Sequence, residues 1–497
     1  MWRTLRHLRL SFAAVVCCTL LNCGAAGLEA QDKVGPKLLP EARRVDAPNV
    51  GGAVRLAMSF DGKLLAIAGT GDRYEILVGE PKRRVKQPGA VAYLCEADTG
   101  KQIAFLELAD REDYGGWRPI ELAFTPNGKS LVTISNETVQ FWDPATGREQ
   151  FTLPKSETST DDGHISISPN GKLLAVSRDR VVDIWDIAAQ KKTSTISVGR
   201  ETASAFPDDE TLLTVESTDH ARLWKLADGQ QLCELRKGYF SVGPIEISPD
   251  RKLVAVSGGG FKLFEISSED PRLRQRFMPT DPKTMEGYGR GALRGHHEGG
   301  SISFARKKNL LATGGHEGTV RLWNPQNGLP VGILWWPEGG NRAAAVLSPD
   351  GESLVVSRGL RGPVGGPSPD RVTEIYPVAE LTKPECITRV VLAAAESLFP
   401  ATEPDPHRRE RPHHETVRRA MSVLQGPHAK PAVPLLIEKL KSERVDVRLT
   451  ALQALHLMAH DATHAKQAVP AIRALANDKS PEVQRAVSHA LRELGVP

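Results

Sequence analysis

Short runs of alternating apolar and polar residues, broken by glycine-rich turns, fill most of the chain. The clearest example lies within residues 295–324, where the runs 301–304, 310–313 and 320–323 are separated by Gly314, Gly315 and Gly318. Side chains two apart share a face of a strand, so this pattern predicts short antiparallel strands and not helix. The pattern recurs. The second residue of a Leu-Leu-Ala-like run falls at Leu65, Leu131, Leu174, Leu213, Val254, Leu311 and Leu354. A tight polar turn precedes each run, of the kind Pro126-Asn127-Gly128 or Pro349-Asp350-Gly351. A further strand follows each, ending at Trp142, Trp185, Trp224, Phe264, Trp323 or Tyr376, with Cys95 in that slot in the first copy. The spacing predicts seven blades of four strands, since blades of this type repeat at roughly 40–45 residues.

The best copy resembles a WD repeat, with Gly295 and His296 in the Gly-His slot and Trp323-Asn324 in the Trp-Asp slot. The resemblance implies a hydrogen-bonded network inside the blade formed by His296, Thr313, Glu317 and Trp323, with Glu317 where the family has Asp. Copies two to four carry Asn136, Asp179 and Asp219 near that acidic slot. Gly163-His164 mimics a Gly-His pair but lies inside an expected strand. The seventh copy meets Lys383-Pro384 soon after its third strand, leaving little room for a fourth. An unpaired edge exposes backbone donors and acceptors, so residues 37–46 are expected to supply the missing strand.

After Lys383-Pro384 the period changes to that of helices. Ile387, Val390, Val391, Ala394, Ala395 and Leu398 line one face of a helix over 385–398, expected to pack on the last blade. Residues 399–412 read as a proline-rich loop. Then Ala432-Val433-Pro434 returns as Ala468-Val469-Pro470, and Asp446-Val447-Arg448 as Glu482-Val483-Gln484, each 36 residues on. Ser480 suits a helix cap, Pro481 the first turn and Gly495 the stop. This part resembles the short bacterial HEAT repeat, with residues 416–424 as part of a degenerate third copy. The expected fold class is an all-β seven-bladed β-propeller plus a small all-α helical-repeat (HEAT-like) domain. Its parts are a leader over 1–30, a possible closing strand within 31–48, the propeller over 49–379, a helix and linker over 380–411, and HEAT-like repeats over 412–497.

Composition narrows the function. Charged residues make up 25% and hydrophobic ones 40%, as in ordinary globular proteins. Removing residues 1–30 takes away three arginines and one glutamate and brings the formal charge from +4 to +2. So little net charge argues against nucleic acid as a partner, because that affinity rests on neutralising phosphates. Arg3, Arg6 and Arg9 ahead of the apolar run 10–21 read as an export signal, too short to span a bilayer. Gly24-x-Ala26 and Leu28-x-Ala30 are the candidate cleavage sites. Residues 20–23 (Leu-Leu-Asn-Cys) also resemble a lipoprotein box, which would place a lipid anchor on Cys23, but Asn22 disfavours it. The expected location is periplasmic or in the cell envelope, with no transmembrane span in the mature form. Cys95, Cys233 and Cys386 are too few and too scattered for a disulfide framework.

No catalytic constellation emerges. His456, His460 and His464 lack further ligands at metal-binding spacing, and His407, His413 and His414 sit in the linker. Asp98-Thr99-Gly100-Lys101 resembles a quinoprotein turn but reads more simply as a hairpin turn. No cofactor and no catalytic residue is therefore expected. The favoured function is a non-catalytic scaffold for protein or peptide partners, ahead of an exported propeller enzyme or an envelope-polymer binder, which 5% aromatics do not encourage. Strand topology puts the long insertions 69–90, 109–117, 279–294 and 358–370, read as loops and connections, on one rim. Lys82, Arg83, Arg84, Arg290, Arg294 and Arg361 would make that rim basic and suited to an acidic partner.

Overall fold

The computed structural model describes residues 38–45, 50–78, 83–108, 121–135, 138–153, 163–178, 180–199, 202–216, 220–236, 243–257, 261–266, 274–275, 292–293, 299–315, 318–337, 339–361, 367–399, 417, 419–425, 427–458 and 465–495. Seven antiparallel sheets follow one another along the chain. Blade one is built from Gly51–Met58, Leu64–Val78, Arg83–Glu96 and Gln102–Glu107. Blade two runs through Glu121–Phe124, Leu131–Ser135, Thr138–Trp142 and Glu149–Thr152, and blade three through His164–Ile167, Leu173–Arg178, Val181–Asp186 and Lys191–Ser197. Blade four has Thr202–Ala205, Thr211–Glu216, His220–Lys225 and Gln231–Arg236. Blade five has Ile245–Ile247, Leu253–Ser257, Phe261–Glu265 and Arg274–Gln275, with Ala292–Leu293 pairing beside it. Blade six uses Gly299–Phe304, Leu311–Gly315, Val320–Asn324 and Leu329–Leu334.

Blade seven, from Gly339–Leu347, Ser353–Arg361 and Pro367–Pro377, takes its outer strand from the other end of the propeller sequence. Arg43 and Arg44 pair with Ile375 and Glu374, and Val45 N–H donates to Thr373 O at 2.9 Å. Val45 then packs with Leu65 and Val91 of blade one and Val355 and Ile375 of blade seven, so one apolar cluster bridges the closing seam.

The aromatic slots explain how each blade holds its middle strands together. Leu131, Leu174, Val254, Leu311 and Leu354 lie opposite Trp142, Trp185, Phe264, Trp323 and Tyr376, and Leu65 lies opposite Cys95. In blade four the partner of Trp224 is Leu212, one residue before Leu213, the position that recurs with Leu131 and Leu174 along the sequence. A one-residue shift exchanges the two faces of a strand. Leu213 therefore points into the cluster shared with blade five, beside Val254 and Phe264.

Among the described residues the innermost strands have no strand on their channel side, and side chains of the preceding blade accept from several of their N–H groups. Ile165 N–H donates to Glu121 Oε2 at 3.0 Å, and Phe304 N–H to Glu246 Oε2 at 3.2 Å. Ala345 and Leu347 N–H donate to Ser301 and Ser303 Oγ at 2.6 and 3.0 Å. Each acceptor sits one blade before its donor. These bonds pair backbone groups that would otherwise be orphaned, and they stitch blade to blade.

After Pro377 the chain turns into the helices Val378–Leu381 and Pro384–Ser397. The longer one packs on the outer strand of blade six, Leu329–Leu334, where the sequence pointed to the last blade; the short helix spans the outer strand of blade six and the third strand of blade seven. A helical turn at 419–423 fixes the contact. Arg321 of blade six, fully buried, donates to Ser422 O and Gln425 O, and Arg419 returns a bond to Trp336 O at 2.9 Å. Beyond it come two helix pairs, Val433–Lys439 with Val445–Met458 and Val469–Arg473 with Pro481–Glu493. Arg448 links them by donating to Ser442 O and Asp478 Oδ1, both at 2.8 Å, while Gln484, one repeat later, donates to Asp478 O at 2.7 Å.

Candidate functional site: the ribbon-bearing rim

Strand direction assigns the two rims. Turns between the first and second strands lie on one rim, and turns between the second and third strands lie on the other with the inter-blade connections. On the first rim the turns are short and self-contained. In blade one, Ser59 Oγ donates to Asp61 Oδ1 at 2.6 Å and accepts from Leu64 N–H at 2.9 Å, while Lys63 N–H donates to Asp61 at 3.1 Å. The same arrangement recurs around Thr125, Ser168, Ser248 and Ser348. Neighbouring turns touch, for Arg306 and Lys307 N–H both donate to Pro349 O at 2.9 and 2.8 Å. This surface is built to close the ring and offers few irregular features.

The opposite rim departs from the repeat. Residues 69–90, which the sequence suggested as a loop, form most of a two-stranded ribbon. The 15-residue strand Leu64–Val78 pairs with Arg83–Glu96 out to Val78 opposite Arg83. The second strands of blades two to four have only 5 or 6 residues. The stretch beyond Gly69 therefore extends the sheet by about 30 Å, at the usual rise per residue. A register shift between Asp72 and Tyr74 marks a bulge, which adds local twist. Residues 358–370 likewise continue a hairpin, paired as far as Arg361 opposite Pro367. Loops were expected because both stretches contain glycine and proline. Pairing wins because each ribbon is zipped outward from a sheet that already fixes its register. The two ribbons rise from blades one and seven, which share the cluster around Val45, so they are neighbours on one rim.

The candidate rim residues are distributed accordingly. Arg83 and Arg84 are strand residues opposite Val78 and Leu77 near the tip of the first ribbon, and Arg361 stands at the end of the second. Lys82, Arg290 and Arg294 lie outside the described residues, as do His296, Glu317, Asn136, Asp179 and Asp219. Of the expected blade network, Trp323 Nε1–H donates to Thr313 Oγ1 at 2.8 Å. The same bond joins Trp142 to Thr133 at 2.9 Å and Trp224 to Thr214 at 2.8 Å, two cases the sequence analysis did not single out. The signal was present: in each, the threonine lies two residues after the leucine opposite the tryptophan.

On the first strands, toward the ribbon-bearing end, Arg55, Glu121 and His164 occupy equivalent positions in blades one, two and three. His164 Nδ1 lies 2.6 Å from Glu121 Oε1. Burial opposes ionisation of Glu121, but the charge and hydrogen bond of His164, together with Arg55, hold its carboxyl below the ordinary value. Deeper, burial pushes the Glu246 carboxyl up to about 8, against the bond from Phe304 N–H and the charge of Arg306. Arg306 itself stacks over the Phe60 ring at 3.4 Å. These groups join blades to one another and carry no nucleophile–base arrangement.

The other sequence candidates resolve simply. Gly100, at φ 73°, closes a hairpin turn whose Thr99 donates to Glu96 at 2.6 Å. His456 packs against the His489 ring at 4.7 Å, and His460 and His464 lie outside the described residues, as do His407, His413 and His414. Among the described residues there is no cluster of three or more potential metal ligands, and no helix is long and apolar enough to cross a membrane. Cys95 and Cys386 are buried and Cys233 half-buried, all as free thiols. The proposed export signal and Cys23 lie outside the described residues.

The architecture is thus a seven-bladed propeller flanked by C-terminal helical repeats. The WD domain, G-beta repeat family matches residues 155–186 and 290–324, blades three and six, and the HEAT repeat family matches residues 433–497. The chain therefore carries WD repeats and a HEAT repeat. No curated protein matches it.

Proposed function

We propose that this chain is a non-catalytic scaffold of the cell envelope that holds a protein or peptide partner on its ribbon-bearing rim. WD propellers and HEAT repeats are architectures typical of protein-interaction scaffolds, and WD propellers are usually non-catalytic. The observation that carries this reading is the pair of neighbouring ribbons on blades one and seven, which leave the blade pattern on the same rim. Regular repeats maintain the ring, whereas long excursions on a single rim serve recognition. Ribbon edges offer unpaired backbone groups for an added strand, and Arg83, Arg84 and Arg361 in register near the ends favour an acidic partner. The helical domain packed on blade six offers a second surface for the same assembly.

The test is a chain with its first ribbon cut back. Gly71 pairs with Gly89, so joining these residues through a two-residue turn removes the excursion and leaves the blade closed. Crosslinking in the native envelope, followed by mass spectrometry, is expected to recover a partner with the intact chain and lose it with this variant at unchanged melting temperature. Equal recovery by both chains overturns the assignment to the ribbons and directs attention to the HEAT repeats.

A further inference from the structure

An open surface pocket of about 550 Å³ lies between blades three and four, bounded by Val198 on one side and by Glu216, His220, Arg222, Trp224 and Glu234 on the other. Its size lies within the roughly 300–1,000 Å³ of small-molecule sites. The polar groups form one chain. The Arg222 guanidinium donates to Glu216 through Nη1 and to Glu234 Oε1 through Nη2 at 3.2 Å, and His220 Nδ1 stands 2.7 Å from that same Oε1. Trp224 is anchored by its bond to Thr214 at 2.8 Å, so its ring is a fixed wall.

Blade registers show that this set belongs to blade four alone among its Trp-bearing neighbours. Counting back four residues from the slot tryptophan gives His220 here but Thr138 in blade two, Val181 in blade three and Thr319 in blade six. Opposite the residue two before that tryptophan stand Glu234 here, Thr152, Thr195 and Ile333 elsewhere. In blade six the corresponding Arg321 is covered by the helical domain, whereas in blade four it faces the open pocket. Places where one repeat breaks its own rule are where function is sought.

The chemistry narrows the ligand. An anion entering here meets two carboxylates, a cation meets Arg222, and an apolar group desolvates four charged or polar heads without replacing their bonds. A sugar ring avoids all three costs. Its hydroxyls each donate one bond and accept others, which suits acceptors and donors already fixed by mutual ion pairing, and its C–H face suits an indole wall. We propose that the pocket between blades three and four binds a neutral saccharide of one or two rings. This goes beyond the scaffold reading and does not depend on it.

The experiment titrates maltose, cellobiose and N,N′-diacetylchitobiose into the full chain, followed by saturation-transfer NMR and calorimetry. At least one is expected to bind saturably in the millimolar range or tighter. Glu234→Gln is expected to weaken it tenfold or more. His220→Val, which installs the residue that blade three tolerates and so keeps the fold, is expected to weaken it as well, while Thr152→Val in blade two leaves it unchanged. The ribbon-shortened chain should retain saccharide binding, which separates this site from the proposed partner rim. Absence of saturable binding by all three sugars overturns the proposal, as does undiminished binding in both blade-four variants. Preferential binding of N-acetylarginine amide or acetate over the sugars also overturns it.

Discussion

The guanidinium of Arg321, in the third strand of blade six, caps the carbonyl end of the helical turn at 419–423 by donating to Ser422 O, with a longer bond to Gln425 O. A cation at the carbonyl end of a helix is favoured electrostatically as well as by hydrogen bonding. Arg321→Met keeps much of the side-chain volume but leaves those carbonyls without their donor. It should cost about 2–4 kcal/mol at this interface. Limited proteolysis between the propeller and the helices is expected to accelerate, and solution scattering to broaden. An unchanged scattering profile would show that the helices packed on blade six are sufficient by themselves.

Ring closure is the next point of vulnerability. Deleting residues 31–48 removes the paired Arg43 and Arg44 and the buried Val45. The loss of one buried valine alone is worth about 1.5–3 kcal/mol, and an exposed strand edge invites association. Differential scanning calorimetry should show a markedly lower melting temperature, and light scattering should show self-association. A variant that melts like the intact chain would show that the sheet holds without its outer strand.

Glu246 gives a pH dependence with a definite sign. Its carboxyl is raised from 4.5 to about 8 in the folded chain, chiefly by burial. Between these values the folded state keeps a proton that the unfolded state has released, so stability falls as pH rises through that window. Glu246→Gln keeps an acceptor for Phe304 N–H without the ionisation. Relative to the native chain, the variant should gain up to about 1.4 kcal/mol for each pH unit between 5 and 8. Denaturant titrations at a series of pH values test this; parallel curves for the two chains refute it.

Arg251 occupies the turn position held by glycine in blades one, two, three and seven, and it has a φ of 61°. A side chain in that left-handed region costs about 1 kcal/mol. Arg251→Gly should therefore stabilise the protein by somewhat less than that, after the added freedom of the unfolded chain is allowed for. Urea midpoints resolve such a shift, and a destabilised variant would mean that Arg251 makes contacts that outweigh its strain.

Much of this architecture was legible in the chain. Blade number follows from the recurrence of Leu131, Leu174, Leu311 and their equivalents ahead of an aromatic residue, because period-2 alternation is a local property of a half-buried strand. The 36-residue offset between Val433 and Val469 defines the HEAT pair for the same reason. The candidate site was less legible. Strand direction alone puts Arg83 and Arg361 on one rim, but glycine and proline suggest loops where outward pairing from the blade imposes ribbons. Leu212, and not Leu213, lies opposite Trp224, and Leu213 packs against blade five, a choice of face that the local Leu-Leu pattern leaves open. The contact between Arg321 and Ser422 joins residues 101 apart, and the chain of Glu216, Arg222, Glu234 and His220 takes shape only once three strands lie side by side. Local periodicity determines which elements form. Long-range contacts decide which faces meet, and that is a property of the folded ring.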